Sequence, residues 1–248
     1  MINLKTHKEK LAEWHLQNRL RRNWETKLAN QIKIEVNRTA KIIANDYAIS
    51  GRQSMGNAQR EHFNRLKSIL YTHWRAVAYE FRKRILSLLR LVQESERKEY
   101  EDEFDKEFEN FLFTSGAEKV SNISTTTIAN IQSAINSAQV DGLDVYATAK
   151  RITELTAIGS ITRAVLIART ETHQAANFAN FIRLGVVNIP NTTKEWVSVN
   201  DDRPRDDHSA ANGQIVPKNG MFVVGGAPLR YPGDHIGPPA QVINCRCT

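Results

Sequence analysis

KEWVSVNDDRPRDDHSAANGQIV, residues 194–216, separates this chain from an all-helical one. It opens as a short strand of alternating bulk. It then packs four aspartates, two arginines and a histidine into the eight residues 201–208. An Asn-Gly step at 212–213 precedes another apolar run. Asn-Gly favours a tight hairpin turn, so Lys194–Val216 is predicted to be a hairpin carrying a charged loop. Asp201, Asp202, Asp206, Asp207 and His208 could bind a cation, but they lack the alternating ligand spacing of a calcium loop. A turn whose side chains cap its own backbone is the simpler account. Pro204 keeps a helix from running through Arg203.

The residues around this stretch extend the β reading. Trp196–Val199, Gln214–Val216, Met221–Val224 and Val242–Cys245 are short β-type runs. Gly225-Gly226, Tyr231-Pro232-Gly233-Asp234 and Gly237-Pro238-Pro239 punctuate them, and Pro-Gly at the centre of a turn suits type II. The last sixty or so residues are expected to form a small antiparallel sheet packed on the preceding helix.

Upstream of Pro190 the period changes to that of helices. Leu11, Trp14, Leu20, Trp24, Leu28, Ile32, Val36, Ile43 and Tyr47 recur mostly at three and four, as one face of a helix requires. The pattern breaks at Ser50-Gly51. Phe63, Leu66, Leu70, Trp74, Val77, Phe81, Ile85, Leu88 and Val92 then advance by three or four at every step. This stripe predicts a long amphipathic helix, with basic residues such as Arg75, Arg82 and Arg90 on its other faces. EYEDEFDKEFENFLF (99–113) inverts the charge and aligns Tyr100, Phe104, Phe108 and Phe111. Packing it on the earlier stripes would bury the rings and set opposite charges side by side, in a helical hairpin or bundle from about 7 to 114. Trp14, Trp24 and Trp74 could instead face another chain.

Thr114-Ser115-Gly116 is the candidate boundary. Three shorter helices are expected beyond it: one from the threonines at 125–127, one with Asp141 or Asp144 near its start, and one over 162–184 closed by Gly185. The predicted class is α+β: a basic-then-acidic helical arm over 1–114, then a compact domain over 115–248. That domain has helices at 115–185 and a β-rich region at 190–248.

Composition bounds the function. With 248 residues, 41% hydrophobic and 25% charged, the chain suits a folded soluble protein. No window approaches the roughly 18 apolar residues of a membrane span. MINLKTHKEKLAEWH lacks the apolar core of a secretory signal, so a cytosolic origin is the default expectation. Residues 1–100 carry 21 Lys and Arg against 10 Asp and Glu, and residues 101–248 carry 13 against 17. A basic first half suggests a polyanion or an acidic protein surface as partner, although a solvated helix face explains it too. Arg19, Arg21, Arg22, Arg82, Lys83 and Arg84 are its candidate contacts for nucleic acid or protein.

Cys245 and Cys247 are the only cysteines. A disulfide between such close neighbours would be strained and close almost no loop. On a strand, residues two apart share a face. With His208, and with His235 or an aspartate as a fourth ligand, they could form a tetrahedral zinc site. Two small buried thiols are the plainer alternative. Arg169, His173 and Asn177 share a helix face, with Glu171 directed elsewhere. There is no nucleophile elbow, no clear Cys-His pair and no phosphate loop. A small-molecule substrate is not indicated, and the chain is not read as an enzyme.

Taken in order, Ala168-Arg169-Thr170-Glu171, Lys194-Glu195-Trp196, Asp202-Arg203-x-Arg205-x-x-His208, Asn212-Gly213, Tyr231-Pro232-Gly233-Asp234 and Ile243-Asn244-Cys245-Arg246-Cys247 resemble the Mu protein F-like family of tailed bacteriophages. The resemblance covers the C-terminal 80–130 or so residues, and its strength lies in the order and spacing of the elements. It implies a minor head, or head-morphogenesis, protein present in low copy in the virion. Such a protein would associate with the portal vertex, other head proteins and packaged DNA, in the head interior or at the portal, without a membrane step. A metal-assisted hydrolase or nuclease using His208, Cys245 and Cys247 is the alternative.

Overall fold

The computed structural model describes residues 7–51, 55–88, 94–186, 191–198 and 205–248. Val199, Asp201, Asp202, Arg203 and Pro204 lie outside the described residues, as do Arg90, Val92 and Pro190, and the side chains of Ile85 and Leu88. The order is α1 (His7–Ser50), α2 (Gly56–Leu88), α3 (Glu94–Phe111), a π-helical turn (Leu112–Gly116), α4 (Ala117–Val140) and α5 (Val145–Val186). It continues with β1 (Thr193–Glu195), α6 (Asp206–Ala210), β2 (Ile215–Pro217), β3 (Phe222–Val224), β4 (Ala227–Leu229) and α7 (Pro239–Val242). The class is α+β: long helices followed by two small antiparallel sheets.

Two compact units divide the chain. One holds residues 1–25, 73–111 and 169–248, and the other 26–72 and 112–168. Each draws on residues from both sides of 114.

In the first unit, the stripes read from the sequence are buried: Trp74, Val77 and Phe81 on α2, and Tyr100, Phe104, Phe108 and Phe111 on α3. Phe104 and Phe108 stack at 6.0 Å, and Phe111 meets Phe178 of α5 at 4.9 Å. Such offset and tilted pairs add to the burial of ring surface. The opposite charges meet as expected, in Arg75–Glu109 at 2.7 Å and Arg82–Asp105 at 2.9 Å. Trp14 and Trp74 do not face another chain, being 6% and 0% exposed. Trp24 is half-buried with its ring edge-on to His73.

The second unit has an aliphatic core in which Ile43, Ala44 and Tyr47 of α1 meet Ile128, Ile131 and Ile135 of α4 and Ile152 of α5. Glu35, Thr39 and His62 form a buried polar cluster, with Thr39 Oγ1 3.0 Å from His62 Nδ1. Asp144 Oδ1 accepts from the Ala147 amide at 2.7 Å and so caps α5.

Three expected boundaries differ. The threonines at 125–127 do not start a helix, because α4 already runs from Ala117. The Thr126 and Thr127 hydroxyls instead donate to the carbonyls of Asn122 and Ile123, one turn back. The two helices expected after Asp141 are one helix of 42 residues. It contains Gly159, whose cost of about 1 kcal/mol relative to alanine does not break it. Gly185 lies inside α5, which ends at Val186.

The β region is two sheets. β1 pairs with β2 antiparallel, Lys194 opposite Val216, so the two ends of the opening stretch are direct partners. Gly213 takes φ 78°, and its amide donates to the Trp196 carbonyl. β3 and β4 form the tightest hairpin, turned through Gly225 and Gly226 at φ 56° and 78°. That pair of positive φ values is what a two-residue turn with the twist of its strands requires. Val242 is not in a strand: Pro239–Val242 is a short helix, started by a proline with preset φ.

Candidate functional site

His208 sits on α6, a helix of five residues that begins just after the charged loop. Arg205, extended at the N-cap, donates from its guanidinium to the Ile243 carbonyl. That bond fixes α6 against the end of the chain. Two backbone bonds hold that end: Val197 N to Thr248 O at 2.7 Å, and Thr248 N to Val197 O at 2.8 Å. Cys245 and Cys247 therefore lie on the held tail, facing the same side as His208.

His208 Nδ1 is 3.3 Å from Cys247 Sγ and 3.7 Å from Cys245 Sγ. The three ligand atoms all lie within 4.8 Å of one another. His208, Cys245 and Cys247 are 3%, 2% and 1% exposed. The other ring nitrogen, His208 Nε2, is 3.1 Å from Gln241 Oε1, and Gln241 Nε2 donates to Asp207 Oδ2 at 2.7 Å. An ionised carboxylate only accepts, so the glutamine nitrogen must face Asp207 and its oxygen must face the histidine. His208 then carries its proton on Nε2 and turns the Nδ1 lone pair to the thiols. The Trp196 indole stands edge-on to the His208 ring at 5.7 Å. Burial pushes the Cys245 thiol well above its usual range, because a thiolate there would lose its hydration.

The other motif residues surround this tail. Arg169 Nη1 donates to Asn244 Oδ1 at 2.8 Å, and the Asn244 amide donates to Thr170 Oγ1 at 3.0 Å. Asn244 has φ 58°, a left-handed conformation that asparagine tolerates better than most residues. Glu171 accepts from the Trp74 indole at 3.1 Å. Asn177 Nδ2 donates to the Pro232 and Cys247 carbonyls. Tyr231–Asp234 forms the expected turn, with Gly233 at φ 78° and Asp234 N bonded to Tyr231 O. A Cβ at Gly233 would come within 2.8 Å of the His173 ring. Arg230 grips the buried Asp234 through Nε and Nη2 at 2.8 and 2.7 Å.

Arg21 is not a surface contact. It is 1% exposed, with Nη1 2.8 Å from His173 Nδ1 and Nη2 donating to Thr248 Oγ1 at 3.2 Å. Burial lowers it to about 10, while Glu25, Cys245 and Cys247 pull the other way. Burial and the adjacent guanidinium hold His173 far below its usual value, so it stays neutral and accepts from Arg21. Of the other basic candidates, Arg82 is ion-paired to Asp105 and lies over the Tyr79 ring at 4.7 Å. Arg84 pairs with Glu13 at 2.5 Å, whereas Arg19, Arg22 and Lys83 are exposed.

His235 is not beside the thiols. Its Nδ1 is 3.0 Å from the Tyr231 hydroxyl, and its ring packs on Phe111 and Phe178. Among the described residues the cluster has three ligands. Asp207, a cation candidate in the sequence, instead orients Gln241, which was not singled out there because Pro-Pro-Ala-Gln carries no ligand-like spacing. Arg21 left a trace: Trp14, Gln17, Arg21, Trp24 and Leu28 repeat at three and four, which puts it on the inward stripe.

Residues 129–248 match the family described as phage Mu protein F like protein. The match takes in every motif element from Ala168 to Cys247, and over this region the chain is similar to the Mu F-like family. That family points to a phage head-morphogenesis protein and a component of the virion. No curated protein and no solved structure matches the chain. Among the described residues, no helix is long and apolar enough to cross a membrane.

Proposed function

We propose that this chain is a minor head protein, incorporated in low copy at the portal vertex, whose basic first hundred residues face the portal protein and packaged DNA. The family match over 129–248 carries this reading. The excess of Lys and Arg over residues 1–100 supports it, because neutralising an acidic surface or phosphates needs cations without base-reading motifs. Arg19, Arg22 and Lys83 are the candidate contacts left exposed. The motif residues serve the fold: they tie α5, the Lys194–Val216 hairpin and the chain end together. Burial of His208, Cys245 and Cys247 suits a structural role better than hydrolysis of a substrate.

The test is co-expression of the full chain with the portal protein of the same phage, read by co-purification. A stable complex is expected, weakened by the triple variant Arg19→Glu, Arg22→Glu, Lys83→Glu at unchanged helicity. Absence of a complex with the wild-type chain removes the portal role. For DNA, sequence-independent binding that falls steeply with salt is expected. No gel shift at low salt removes the DNA role alone.

A further inference from the structure

We propose that His208 Nδ1, Cys245 Sγ and Cys247 Sγ bind a zinc ion that fastens the end of the chain to α6. Ideal bond lengths of about 2.0–2.1 Å to nitrogen and 2.3 Å to sulfur give tetrahedral edges of roughly 3.6 Å (N···S) and 3.8 Å (S···S). The two observed N···S distances, 3.3 and 3.7 Å, lie on either side of that edge, and no pair of ligand atoms exceeds 4.8 Å. Closing on an ion therefore needs only small side-chain shifts.

The surroundings are built for a ligating histidine. A metal-bound imidazole usually donates its other N–H to a fixed acceptor, which sets the tautomer and ring orientation. Here Asp207 orients Gln241, and Gln241 orients His208. Gly225 leaves room for that relay: a Cβ there would overlap the Asp207 carboxylate and the Gln241 amide. Two thiolates, one neutral imidazole and one zinc ion sum to zero charge, which a buried site can hold. Two sulfurs and one nitrogen select a soft or borderline ion such as zinc over calcium or magnesium. The fourth position falls to a solvent molecule or small anion.

The fold supplies a reason for such a fastening. Among the described residues, each of the four strands is three residues long, and the sheets are two-stranded. Strands this short are not stable alone. Their core is eight buried residues, Cys245 and Cys247 among them. Small domains with so little core commonly draw their stability from a structural metal.

The experiment is metal analysis of the full chain purified without chelator. About one zinc per chain is expected, with both thiols protected from a thiol reagent until the ion is removed. Chelation should lower the melting temperature, and added zinc should restore it. Gln241→Ala should weaken zinc binding about 10- to 100-fold through loss of ring orientation. The chelation and restoration steps use the wild-type chain, so they decide the matter even if Cys245→Ser or Cys247→Ser fails to fold. A folded chain with no metal and two freely titrating thiols overturns the proposal. So does a Cys245–Cys247 disulfide, or melting indifferent to chelator and zinc.

Discussion

From Val145 to Leu166, the described residues that α5 buries are Thr148, Ile152, Ser160 and Ala164, spaced at multiples of four along one face, whereas from Thr170 to Ala179 every residue is buried. Six of those ten are polar: Thr170, Glu171, Thr172, His173, Gln174 and Asn177. The first half behaves as an ordinary amphipathic helix, with apolar residues on one face and solvent on the other. In the second half each polar side chain must find a partner, because a buried unpaired group costs about 1–3 kcal/mol. The partners come from α1, α2, the Tyr231–Asp234 turn and the chain end. Each bond names one residue on another element, so the second half fixes how the first unit is assembled. The family motif begins there, at Ala168-Arg169-Thr170-Glu171.

The largest test removes one such partner. Trp74 is fully buried and donates to Glu171. Trp74→Ala should cost about 3–5 kcal/mol for the lost side chain, with the lost hydrogen bond to the buried Glu171 adding about 0.5–1.5 kcal/mol. Ile131→Ala, in the aliphatic core of the second unit, should cost about 2–5 kcal/mol with no polar consequence. Chemical denaturation of both variants checks this, and equal losses would break the contrast.

Acid gives the next effect. His73 is buried and lowered from 6.5 to about 4, because charging it would strip its hydration. Its folded value lies below its unfolded one, so the unfolded chain takes up the proton first as pH falls. The stability is fully present above about 6.5, declines as pH falls from there to about 4, and totals roughly 3 kcal/mol. His173 is shifted in the same direction and adds to the slope. Melting temperature should fall through this window, and less so in His73→Gln. An unchanged slope in that variant would show that His73 does not carry it.

Period made the helical part legible: the α2 and α3 stripes name buried residues that the fold buries, and the Arg–Glu and Arg–Asp pairs lie where the inverted charges put them. The hairpin ends and the Pro-Gly turn were legible from turn chemistry. Asp144 marked the start of α5, but the helix start at 117 was hidden, because Thr125–Thr127 are as good inside a helix, bonded back one turn, as at its cap. His208 and the two cysteines could be grouped by residue type. Gln241 could not, since an amide becomes an orienting residue only through the two groups it touches. Arg21 was hidden by its basic neighbours in Arg-Leu-Arg-Arg, although its place in the stripe points inward.

The smallest effect applies one substitution to both halves of the contrast. Thr172 Oγ1 shares a 2.8 Å hydrogen bond with His73 Nε2, and both residues are buried. Thr172→Val keeps the shape, removes the hydroxyl and leaves the imidazole nitrogen unpaired, so it should cost about 1–3 kcal/mol. Thr127 is also buried, but its hydroxyl only adds to the Ile123 carbonyl, which Arg163 Nη2 also reaches at 3.3 Å. Thr127→Val strands nothing and gains valine's methyl, so its effect should stay within about 0.5 kcal/mol. Denaturant midpoints measured at pH 7.5 or above, where the imidazole is neutral in both states, separate the two variants. A loss at Thr127 as large as that at Thr172 would mean that polar pairing does not distinguish the two buried environments.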